Sequence, residues 1–221
     1  MAHADGPDGD KDNDNDNDYL REFARRGRQR PTSGGYFEWL GRPEDPLAYE
    51  HRVACVRRYA FAVPTATALA AVARHAPIVE LGAGTGYWAF LLRRRGVDVV
   101  AYDIAPPGQT PNRYKFEPRT WTAVEQGGVD VLARHGNRTL FLCWPDYRDS
   151  FAGDALAAYG GRRLVYVGEP RGGRTADDAF FNRLGTDWHL VETLAIPRWP
   201  GVNDALYVYL RWESAGRGTV G

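Results

Sequence analysis

Residues 79–88 read VELGAGTGYW, and no other stretch limits the fold as tightly. A short apolar run, IVEL, meets Gly82, Gly84 and Gly86 at two-residue spacing, and YWAFLLRRRG follows at helical spacing. A strand that enters a helix through a tight glycine turn opens a β–α–β unit, and its glycines let a ligand approach the backbone. VDVVAYD reads as the next strand and closes on Asp103, 17 residues after Gly86. An acid there can accept both hydroxyls of a ribose, so turn and acid together point to an adenosine-bearing ligand. A tight strand–helix turn with no ligand is the alternative.

The kind of adenosine ligand depends on two departures from the nicotinamide fingerprint G-x-G-x-x-G. The third glycine falls one residue early, with Tyr87 in its place, and Glu80 precedes the turn. A carboxylate beside the ligand repels a pyrophosphate and suits a cationic amino-acid end.

The rest of the chain alternates in the same way. LAYEHRVACVRRY has helical spacing, and TATALAAVARH reads as a second helix with Thr65 as N-cap. TAVEQG reads as a third strand, VDVLARHG as a short helix, RTLFLCW as the clearest buried strand and FAGDALAAYGG as a helix stopped by glycine. RRLVYVGE, then TADDAFFNRLG, give a fifth strand and a helix. The last two strands, WHLVETLAIP and DALYVYLRW, are joined by RWPGVN, which is too short for a helical crossover, so they must be antiparallel. The expected fold is a doubly wound α/β, seven-stranded, mostly parallel sheet with a terminal antiparallel hairpin.

VELGAGTGYW with VDVVAYD resembles motif I and the second-strand acid of class I S-adenosylmethionine-dependent methyltransferases, and the resemblance runs from about residue 47 to 212. The whole pattern also looks like stand-alone methyltransferase-like proteins of unassigned substrate. The resemblance implies S-adenosylmethionine as cofactor. Glu80 would serve its amino-acid end, Gly82, Gly84 and Gly86 would lie beneath it, and Asp103 would hold the ribose. Many members carry an acid after the third strand for the adenine amino group. Gly128 stands there here, so backbone around Gly127 to Val129, or the offset Asp130, would have to serve instead.

Ligands of open α/β sheets bind beyond the carboxyl ends of the strands, and the fourth and fifth ends remain for the methyl acceptor. The fourth ends in WPDY, where amino-methylating members carry Asp/Asn-Pro-Pro-Tyr/Phe. Pro145 and Tyr147 match that pattern; Trp144 replaces the polar residue and Asp146 the second proline. Trp144, Pro145 and Tyr147 are thus substrate-binding candidates, and Asp146 and Glu169 are candidate catalytic acids or bases. A packed, proline-shaped strand end is the competing reading of WPDY, and an ion pair with an arginine that of Glu169. His51 and Tyr36 are further substrate-site candidates. Trp39, Tyr59 and Phe61 are aromatics able to face a sulfonium.

Composition narrows the partners. Residues 1–18 hold seven Asp and one Lys; beyond them 27 basic and 21 acidic residues remain, a surplus of six. That stretch reads as a disordered acidic tail, residues 19–75 as an arm with helices capping the site, 76–214 as the Rossmann-like core and 215–221 as a flexible end. DNDND lacks the glycine and glutamate of a calcium loop, and Cys55 and Cys143 stand apart with no metal spacing, so no metal is expected. Lacking an export pattern or a long apolar run, the chain reads as cytoplasmic, with no membrane partner. The expected reaction is methyl transfer to a small molecule, nitrogen before oxygen. A nucleic-acid base as acceptor and a non-catalytic cofactor-binding protein are the alternatives.

Overall fold

Apolar strand runs and amphipathic helices settle into one layered sheet. A computed structural model describes residues 17–28, 46–108, 114 and 116–213. Its strands are β1 (Ile78–Leu81), β2 (Val99–Asp103), β3 (Glu125–Gln126), β4 (Thr139–Cys143), β5 (Arg163–Gly168), β6 (Trp188–Ala195) and β7 (Ala205–Arg211). They lie in the order β3-β2-β1-β4-β5-β7-β6. The first five are parallel, and β7 runs antiparallel to both β5 and β6. This is the expected doubly wound, seven-stranded, mostly parallel sheet, including its terminal antiparallel hairpin. The order reverses at β1, which has β2 on one side and β4 on the other, and this opens a crevice beyond their carboxyl ends.

Helices cover both faces: α1 (Asp18–Arg28), α2 (Pro46–Arg58), α3 (Ala66–Ala73), α4 (Tyr87–Arg94), a 3-10 helix (Val129–Arg134), α5 (Phe151–Ala158) and α6 (Asp178–Asp187). Alternation along the strands divides the core. Phe141, Val165 and Val167 face the side of α1 to α4, while Leu140, Leu142, Leu164 and Tyr166 face α5 and α6. Thr65 caps α3 as expected, its Oγ1 accepting the Ala68 N–H at 3.1 Å.

Three local readings change. The third strand shrinks to Glu125–Gln126, both exposed. The helix after it is 3-10. The arm includes a regular helix, α1, which Asn17 caps by accepting the Leu20 N–H at 2.9 Å. Asn17 also donates to the Pro64 carbonyl at 2.8 Å, so Asn17 and Asp18, grouped with the tail by composition, begin this helix. Tyr19 is fully buried behind them, stacked 5.0 Å from Tyr59 and accepting the Trp199 indole N–H at 2.9 Å. The rest of the acidic tail, Tyr36, Trp39 and residues 214–221 lie outside the described residues. No described helix is long and apolar enough to cross a membrane.

Candidate functional site

The glycine spacing has a backbone cause. Gly82, Gly84 and Gly86 sit at φ +74°, +53° and +74°, a left-handed region that side chains rarely tolerate. Space is short as well: a Cβ on Gly84 would come within 3.0 Å of the Phe116 ring, and one on Gly86 within 2.7 Å of Val124. Asp103 locks the turn to the end of β2. Its Oδ2 accepts the Gly84 N–H and its Oδ1 the Ala105 N–H, each at 2.8 Å.

A cavity of about 430 Å³ opens over this turn, at the ends of β1, β2 and β4. Its wall carries four carboxylates, Glu80, Asp103, Asp146 and Asp149, and no Lys, Arg or His among the described residues. Glu80 is buried at 2% exposure, and burial pushes its carboxyl up to about 8 against the opposing pull of Arg93 and the Ala89 N–H. Its Oε2 has no hydrogen-bond partner, nor has the Nε1 of the neighbouring Trp88. The wall of the cavity thus buries one orphaned acceptor and one orphaned donor. Cys143 also lines it, but burial raises its thiol well above the usual range, which makes it an inert wall residue.

At the end of β4 the chain turns sharply. Trp144 donates its N–H to Val167 at 2.8 Å, then adopts φ +56°, which is strained for a bulky residue. Its indole is held on three sides. It donates Nε1–H to Asp204 at 2.9 Å, stacks on Phe61 at 5.4 Å, and lies under the Arg52 guanidinium at 5.3 Å. The Pro145 carbonyl already accepts the Ala176 N–H at 2.8 Å, and Asp146 bridges to Thr175. Asp146 accepts from Tyr114 at 3.0 Å and from Arg148 at 2.7 Å. WPDY is therefore a packed, hydrogen-bonded corner whose Trp, Pro and Asp face the cavity.

The structure brings Glu80, Gly82, Gly84, Asp103, Trp144, Pro145 and Asp146 together in the cavity wall, with Gly86 opening α4 just behind. Other candidates sit elsewhere. Glu169 is buried outside the wall, its two oxygens taken by the Arg174 and Asn203 backbone N–H groups at 2.7 and 2.8 Å; it anchors the loops after β5 and before β7. His51 turns from the cavity to the α1–α2 junction, edge-on to Trp199 at 5.6 Å and 3.3 Å from the Glu22 carbonyl. Tyr147 is 49% exposed and lines a smaller neighbouring cleft. Gly128 and Val129 start the 3-10 helix, outside the wall residues. They stand next to it, since the Gly127 N–H donates to the Asp103 carbonyl at 2.9 Å.

Sequence reasoning missed Trp88, Ile104, Tyr114, Phe116 and Asp204. Ile104 carried a signal: an apolar residue directly after a strand-ending acid, here 73% exposed on the cavity wall. Asp204 carried none. It is buried at 1%, with its carboxyl raised to about 6 by desolvation, and only the β5-β7 pairing brings it to Trp144.

No family model and no curated protein matches the chain. Among solved structures, a magnesium protoporphyrin IX methyltransferase from Synechocystis PCC 6803 with bound SAM is similar. It is 12% identical over 88% of this chain and 94% of its own, with a TM-score of 0.44. The glycopeptide N-methyltransferase MtfA complexed with S-adenosyl-L-homocysteine is 13% identical over 62% of this chain and 83% of its own, TM-score 0.38. A mutant of MtNAS in complex with S-adenosylmethionine is 15% identical over 88% and 75%, TM-score 0.43. These likenesses are distant, and the fold stands on the strand order itself.

Proposed function

We propose that the protein is an S-adenosylmethionine-dependent methyltransferase acting on a nitrogen of a small molecule. The observation that carries this reading is the cavity at the turn of the sheet order, acidic and without a described cation, with the Glu80 Oε2 left unpartnered in its wall. A pyrophosphate would meet acidic side chains and no described cation there, whereas a ligand with an ammonium and a sulfonium suits such a wall and draws the proton from Glu80. When bound, S-adenosylmethionine supplies an activated methyl group on sulfur, and the protein has to align the acceptor with it.

The residues fit the parts of that ligand. Glu80 accepts the ammonium, and the Trp88 indole N–H serves the carboxylate. Asp103 holds the ribose hydroxyls, already oriented by the Gly84 and Ala105 amides. Ile104 gives the adenine an apolar face, and backbone at Gly128 and Val129 meets its edge. Phe61 and Trp144 form an aromatic wall that excludes water and faces the sulfonium.

Nitrogen is favoured because a hydroxyl acceptor needs a base. Asp146 is paired with Arg148, Glu169 is held by two amides, and His51 packs away from the cavity. A neutral amine brings its own lone pair and needs no prior deprotonation. The test is incubation with methyl-labelled S-adenosylmethionine and either fractionated small-molecule extract or DNA and RNA. Label in a small amine-bearing product is expected. Label in nucleic acid, with a yield that falls steeply as salt rises, would replace the acceptor class. Cofactor binding with no labelled product from any source would favour a non-catalytic role.

A further inference from the structure

A second cleft of about 180 Å³ adjoins the acidic cavity and shares Phe61, Tyr114, Trp144 and Asp146 with it. Its remaining lining is Arg52, Tyr147, Arg148 and Arg174, so three guanidiniums face one carboxylate among the described residues. Arg148 uses Asp146, and Arg174 lies 3.6 Å from Glu169. Arg52 differs from both. It lies over the Trp144 ring, no described carboxylate pairs with it, and its Nε is buried without a hydrogen-bond partner. Asp204 and Glu169 act on this cation without pairing with it, and Arg174 opposes them, so a direct anionic partner is still missing.

We propose that this cleft takes the anionic group, a carboxylate or phosphate, of a flat ring-bearing methyl acceptor whose reacting nitrogen lies past Trp144 in the acidic cavity. The proposal rests on the methyltransferase reading for the word acceptor, but the anion site stands on the cleft alone. A planar guanidinium matches the two oxygens of a carboxylate or phosphate, and the half-exposed Tyr147 ring lies beside it in the cleft. Burial and Arg174 lower the pKa of Arg52 by more than Tyr19, Asp204 and Glu169 raise it, and an incoming anion would act in the raising direction. Trp144, held at φ +56°, lines both cavities.

The experiment is ligand-observed NMR on the full chain with benzoate, phenyl phosphate and uncharged benzamide, with and without S-adenosylhomocysteine. Benzoate or phenyl phosphate is expected to bind at least about tenfold more tightly than benzamide. Arg52→Gln should remove most of that preference and leave S-adenosylhomocysteine binding unchanged. Equal binding of benzamide and both anions overturns the proposal, as does full anion preference in Arg52→Gln. If that variant does not fold, Arg174→Met, at a half-exposed position, must weaken anion binding, and no effect there is equally fatal. Arg52-dependent anion binding in a protein that does not bind S-adenosylhomocysteine would keep the anion site and overturn both its role for a methyl acceptor and the proposed cofactor.

Discussion

The two cavities that meet at Trp144 have opposite charge and different origins. The larger is acidic, and its key carboxylates, Glu80 and Asp103, come from the ends of neighbouring strands in one β–α–β unit. The smaller is basic, and its arginines come from α2, the loop after β4 and the loop after β5. The first is local in sequence; the second exists only once distant segments have packed. A cationic cofactor and an anionic acceptor would thus be sorted by charge before shape is tested, with the aromatic wall between them bringing their reactive ends together.

Replacing Asp103 with Ala should break this contrast most strongly. It removes the acceptor of the Gly84 and Ala105 amides and the proposed ribose anchor together. S-adenosylhomocysteine affinity should fall by about a hundredfold or more, measured by calorimetry, since hydrogen bonds to charged groups are worth roughly 1.5–3 kcal/mol each. Benzoate binding in the basic cleft should persist. Loss of both would mean that the two regions are not independent.

Glu80→Gln should come next, with affinity down roughly ten- to a hundredfold and folding retained. Its pH signature is specific. The Glu80 carboxyl stands at about 8 in the fold against 4.5 ordinarily, so the folded state binds its proton more tightly than the unfolded chain. Its contribution to stability is therefore full below 4.5 and is lost as pH rises through about 8. Asp204 acts in the same direction, but only up to about 6. The melting temperature of the ligand-free protein should fall between pH 6 and 8, and Glu80→Gln should flatten that fall. Affinity for the cationic ligand should rise over the same window. A Glu80→Gln melting curve as steep as that of the parent would refute the assignment.

Trp144→Phe keeps an aromatic ring but leaves the buried Asp204 without its indole donor. The expected cost is about 1–3 kcal/mol of stability at neutral pH by chemical denaturation, with cofactor affinity little changed. The smallest effect should come from Tyr147→Ala. This residue is half exposed in the basic cleft, so S-adenosylhomocysteine affinity should stay within about twofold while turnover of the acceptor falls by roughly two- to tenfold. A larger loss of cofactor affinity than of turnover would move Tyr147 into the acidic cavity.

What could be read from the sequence follows the same division. The turn was legible because three positive-φ positions at fixed spacing admit little but glycine, and because Asp103 follows within one strand–helix–strand unit. The antiparallel end of the sheet was legible from a six-residue link. The end of β4 was only half legible. WPDY announced an unusual corner, but the bond from the Pro145 carbonyl to Ala176 and the Arg148 partner of Asp146 belong to the packed corner, not to the pattern. Asp204 meets Trp144 across 60 residues, and Tyr19 meets Trp199 across 180, through packing that no local periodicity encodes. Glu169 was open to a substrate role or an ion pair with an arginine; the fold gives it Arg174 at 3.6 Å and the backbone amides of Arg174 and Asn203.

The most direct measurement is calorimetric titration of the full chain with S-adenosylhomocysteine, alongside Asp103→Ala and Glu80→Gln. Saturable one-to-one binding, nearly abolished by the first variant and weakened by the second, is the predicted result. No binding, or binding that neither substitution alters, would contradict the assignment of the acidic cavity to this cofactor.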